Sequence, residues 1–72
     1  MERSQAKQLQ KRLRREINRA DRLAWWSDEQ KANTSLPITQ RFEAEQRGVL
    51  AIATRRELQG VLEHLEEAMS DG

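Results

Sequence analysis

The sequence predicts an all-α fold, an antiparallel two-helix hairpin that dimerises into a four-helix bundle, and three observations predict it. Pro37, the only proline, closes the turn-forming run Asn33-Thr34-Ser35-Leu36-Pro37 at the midpoint of the chain. Helix-favouring residues fill both flanks, with apolar side chains recurring every three or four positions. The two halves also differ in charge. Residues 1–36 hold nine Lys/Arg and five Asp/Glu, a net of +4, whereas residues 37–72 hold four and seven, a net of −3.

The 72 residues form one helical-hairpin domain, of a size at which a single core contributes only a few kcal/mol. With no cysteine, neither a disulfide nor a Cys-based zinc site is available as a staple. Self-association is the remaining common one, so the expectation is a homodimer. Hydrophobic residues make up 36% and charged residues 35% of the chain, and the periodicity of the apolar ones argues against disorder. No apolar run reaches the roughly 20 residues of a membrane span, and the charged start does not lead into the apolar segment of a signal peptide. A cytoplasmic protein is expected.

The first helix is expected over about residues 2–32. Ala6, Leu9, Leu13, Ile17, Ala20, Leu23 and Ala24 form one stripe at about 100° per residue, and no Gly or Pro interrupts it. Asn33 suits the left-handed conformation that ends many helices. The turn covers residues 33–37, and the second helix runs over about 37–69, with Ser35 or Thr39 as its N-cap. Ser70-Asp71-Gly72 reads as a frayed end. Leu50, Ala51, Thr54, Leu58, Val61, Leu62, Leu65 and Met69 are the expected core stripe of this helix. A second stripe of Ile38, Phe42, Val49, Ala53 and Gly60, with Ile52 at its flank, lies on the other side and calls for a further helix. The alternative, one continuous helix bent at Pro37, is disfavoured by the turn residues around the proline. A tight turn also sets the basic start beside the acidic end, which favours the antiparallel arrangement.

No catalytic, metal or cofactor signature is present. There is no nucleophile with a base at recognisable spacing, and two helices leave no room for an enclosed pocket. His64, the only histidine, has Glu63 and Glu67 nearby, but Val61 stands where the Glu-x-x-His pattern of carboxylate-bridged bundles needs an acid. Candidate function therefore rests on surfaces. Trp25 and Trp26 both lie off the first stripe, and Trp is enriched at binding hot spots. With Phe42, Val49 and Arg56 they form the expected protein-binding surface; the competing reading has Trp25, Trp26, Ile38, Phe42 and Val49 complete a dimer core or a widened core at the turn end. Lys11, Arg15, Arg19 and Arg22 line a basic face with Trp26 at its end. That pattern suits phosphate pairing with base stacking, although Glu16 and Asp21 interrupt it. Gly60 is read either as a point of close approach to another helix or as a tolerated surface glycine, and Gly48 as a candidate kink. The leading expectation is a non-enzymatic protein-binding module, an adaptor, inhibitor or chaperone of another protein. A nucleic-acid-binding hairpin is the alternative.

Overall fold

The structure, a computed structural model, describes residues 2–70: helix α1 (Arg3–Ala32), a five-residue connection, and helix α2 (Ile38–Ser70). The two-helix hairpin read from the sequence is the fold, with no strand among the described residues. Asp71 and Gly72, part of the expected frayed end, lie outside the described residues, and Ser70 is helical.

The chain reverses through side-chain chemistry that differs from the expected caps. Asn33 has φ −82° and ψ 98°, and none of the described residues has a positive φ, so the left-handed cap is not used. Instead the Asn33 side-chain carbonyl accepts from the Ser35 amide at 3.1 Å and from Ser35 Oγ at 2.5 Å. Its backbone carbonyl accepts from the Leu36 amide at 3.2 Å. This is the local competition by which Asn favours turns. Ser35 Oγ donates to Asn33 rather than capping α2, and Thr39 already lies within the first helical turn. The Pro37 carbonyl accepts from Arg41 N–H at 3.1 Å, so proline itself occupies the N-cap position. Its fixed φ and missing donor are tolerated there.

The helices meet along a seam whose residues alternate at spacings of three and four, the pattern of a coiled coil. On α1 the buried positions are Ala6, Leu13, Ala20, Ala24 and Ser27, with Gln10 and Ile17 half-buried between them. On α2 they are Ala44, Gly48 and Ala51, continued by half-buried Arg55, Leu58, Leu62, Leu65 and Met69. Small residues thus face small residues near the turn, and larger ones meet toward the open end. Among the described residues, Leu13 is the only large side chain in the buried apolar set. Near the turn the backbones come close enough for Ser27 Oγ to donate to the Ala44 carbonyl. A Cβ added at Gly48 would lie 2.8 Å from Ser27 Cβ. Gly48 is therefore the point of close approach, and α2 continues through it as one helix. A Cβ at Gly60, by contrast, would meet nothing within 4 Å.

This seam overturns part of the expected core. Leu50, Thr54 and Val61 on α2, and Leu23 on α1, are exposed. The stripe on α2 is rotated from the expected one because its first half is built of Ala44 and Gly48, which carry little hydropathy, and because Arg55 occupies a seam position. Arg55 is half-buried there, and its guanidinium reaches the exposed Asp21 carboxylate at 2.6 Å; a long side chain of this kind can lay its apolar stem along a seam while its charge stays in water. The expected pairing of basic start with acidic end is sparse. Among the described residues it amounts to Arg14 and Glu66, 3.9 Å apart with both side chains largely exposed. Such a pair contributes below about 1 kcal/mol.

Candidate interaction surfaces

The seam direction decides what each remaining side chain faces, because successive residues of a helix point about 100° apart. Three surfaces result. On one side of the hairpin, α1 contributes Glu16, Arg19 and Leu23, and α2 contributes Arg47, Leu50 and Thr54, to an open groove floored by Ala20 and Ala51. The small floor residues make the groove, since alanines cannot fill the space between the flanking rows. Val61 extends the Thr54 row two turns further along α2, so an apolar strip runs past the middle of the hairpin.

The other side carries Trp25. It lines a shallow depression with Asp21, Asp28, Ile52 and the Asp21–Arg55 ion pair. Trp25 is 66% exposed and Trp26 37%, and Trp26 does not line this depression. The adjacent tryptophans therefore do not form one aromatic patch. Each serves a different side of the molecule.

The third surface is the outer side of α2. Phe42, Val49 and Arg56 are seven residues apart and so lie on one line. All three are exposed, Phe42 and Val49 at 60%. Asp21 lies level with Arg55, which brings Trp25 level with Ala51 and close to the height of Val49. Of the five expected protein-binding residues, Phe42, Val49 and Arg56 share a line, Trp25 stands beside its upper part, and Trp26 is separate. Leu23, Leu50 and Val61 were missed as surface residues because each fits an apolar stripe. The signal that separates them is the small-residue series Ala44, Gly48, Ala51, which sets the seam.

The expected nucleic-acid residues are likewise on the surface. Lys11, Arg15, Arg19 and Arg22 are all exposed, and the last three border a shallow hollow with Glu16 and Asn18. None of the four forms an ion pair among the described residues. His64 is exposed, and among the described residues no three His, Asp or Glu side chains gather as a metal site. No helix among them is long and apolar enough to cross a membrane. Comparison with protein-family models, with curated proteins and with solved structures found no match.

Proposed function

We propose that this chain is a non-enzymatic protein-binding module, a small dimeric helical hairpin that acts as an adaptor, inhibitor or chaperone of another protein in the cytoplasm. One observation carries the reading: the fully buried apolar residues are mainly alanines, and several large apolar side chains are left outside. Trp25, Phe42 and Val49 are each at least 60% exposed, on surfaces away from the groove. Large exposed apolar patches on small soluble chains mark association surfaces, and aromatic residues are the side chains on which binding energy concentrates. Arg56, continuing the Phe42–Val49 line, supplies a charge at its edge.

The test compares the wild type with a Trp25→Ala, Phe42→Ala double variant as bait in extracts of the source cells, with captured proteins quantified by mass spectrometry. A specific partner that the wild type captures and the folded double variant loses supports the reading. Equal capture by both, or no specific partner for the wild type, refutes it.

A second reading, nucleic-acid binding, is favoured by the absence of ion pairs at Lys11, Arg15, Arg19 and Arg22 among the described residues. Their charges stay open to phosphates, with Glu16 the one acid among them in the hollow. Binding of this kind weakens steeply as salt rises. A gel-shift series with duplex, single-stranded and hairpin DNA and RNA tests it, and no shift at low salt eliminates it.

A further inference from the structure

We infer that the groove between Leu23 and Leu50 is covered by a second copy of this chain, packed with its turn at the same end and its α1 lying against α2 of the first copy. This deepens the dimeric part of the proposed function and assigns that role to the groove, leaving the Trp25 and Phe42–Val49 surfaces outside the bundle.

Size comes first. The hairpin measures 53 × 15 × 13 Å. One long face therefore spans roughly 800 Å², which is about what each partner buries in a standard-size stable interface. The groove face carries large apolar side chains on both helices, Leu23 and Trp26 on α1 and Leu50 and Val61 on α2. Its alanine floor leaves space for the partner's leucines.

Charge then selects the arrangement. Helix α1 holds nine Lys/Arg and four Asp/Glu, a net of +5, and α2 holds four and six, a net of −2. Two hairpins can pack groove to groove about a two-fold axis in only two ways. If the axis crosses the helices, the turns lie at opposite ends, with α1 against the partner's α1, basic on basic. If the axis runs along the helices, the turns lie together and every neighbouring pair in the four-helix bundle is α1 against α2. Neighbours are then antiparallel and opposite in net charge throughout, and the two basic helices sit on the diagonal. Like charges brought into contact are costly and opposite ones fix the pairing.

The register within the hairpin makes the second arrangement specific. Asp21 lies level with Arg55, so Arg19, two residues earlier, lies level with Glu57, two residues later. In the same-end dimer the partner's Glu57 occupies that same height beside α1. Arg19 and Glu57 both project from the outer flank of the groove face. Both are exposed, and neither is ion-paired among the described residues. By the same register Leu23 meets the partner's α2 between Leu50 and Thr54, and Trp26 meets it at Leu50. The two-fold axis repeats each contact.

Absence of cysteine makes the experiment clean. A Thr34→Cys variant carries a nitroxide label at the turn, and pulsed electron paramagnetic resonance reads the distance between labels in the dimer. Same-end packing places the labels within roughly 25 Å, a few helix diameters, whereas opposite-end packing separates them by about the 53 Å length of the hairpin. In parallel, sedimentation equilibrium follows the dimer dissociation constant of Arg19→Glu, Glu57→Arg and the double reversal. Each single reversal is expected to weaken the dimer about tenfold, since two symmetric pairs are inverted, and the double reversal to restore it. Long label distances, or no restoration, overturn the arrangement while leaving a dimer in place. A chain that stays monomeric at high concentration removes the dimer itself, and the capture experiment on the Trp25 surface still decides the protein-binding reading.

Discussion

Replacing Gly48 by alanine should destabilise the protein, and replacing Gly60 by alanine should stabilise it, although both lie in the interior of the same helix. An added Cβ at Gly48 falls 2.8 Å from Ser27 Cβ, against the 3.5–4.0 Å at which carbon atoms pack best. Rotation of Ser27 cannot relieve that contact, because the obstructing atom is fixed to the backbone. The helices must separate, which costs about 1–3 kcal/mol for overpacking. The Ser27 bond to the Ala44 carbonyl is strained or lost at about 0.5–1.5 kcal/mol. The better helix propensity of alanine returns about 1 kcal/mol. The net effect at Gly48 is a loss of about 1–3 kcal/mol. At Gly60, with nothing within 4 Å, only the propensity gain of about 1 kcal/mol remains.

Urea and thermal unfolding followed by far-ultraviolet circular dichroism, at one fixed protein concentration because dimerisation contributes to stability, measure both. For a domain of this size each kcal/mol moves Tm by roughly 4–8 °C, so the two variants should shift in opposite directions. A Ser27→Gly substitution should be less damaging in the Gly48→Ala background than alone, since it removes the clashing Cβ. If Gly48→Ala raises stability as Gly60→Ala does, the close approach of the helices near the turn is wrong.

Further outcomes follow from other contacts. Ser27→Ala should cost about 0.5–1.5 kcal/mol in the same unfolding assay, while Ser27→Val should cost more by adding bulk at the tightest point of the seam. Asp21→Ala should remove below about 1 kcal/mol, an effect that fades in high salt; a larger, salt-insensitive loss would mean that Arg55 depends on this partner to remain at the seam. Asn33→Ala removes the acceptor for both Ser35 donors and should cost about 1 kcal/mol, whereas Asn33→Asp, which retains an acceptor, should be nearly neutral. Fluorescence of single-tryptophan variants should separate the two indoles: with Trp25→Phe the remaining Trp26 emission shifts to the blue as the chain dimerises, and with Trp26→Phe the Trp25 emission stays red-shifted and open to quencher until a target protein is added. Equal protection of both on dimerisation would place Trp25 inside the self-interface.

The sequence by itself determined the two helices and the reversal between them. Long uninterrupted tracts of helix-favouring residues leave the backbone little choice, and one proline beside Asn33 and Ser35 marks where it must turn. It also made Lys11, Arg15, Arg19 and Arg22 legible as surface from their type and their place opposite the apolar stripe, but not Arg55 as a seam residue. What it left open was the rotation of each helix about its own axis. Helix α2 carries apolar residues on several sides, and hydropathy follows the largest of them, which drew Leu50 and Val61 into the expected core. Only the packed structure shows that Ala44, Gly48 and Ala51 form the seam, because close approach of two backbones rewards the absence of a side chain and not its hydrophobicity. Once that contact is made, the rotation of α2 is set. Leu23 and Leu50 then turn outward onto the groove, and Trp25 and Trp26, adjacent in the chain, are sent to different faces.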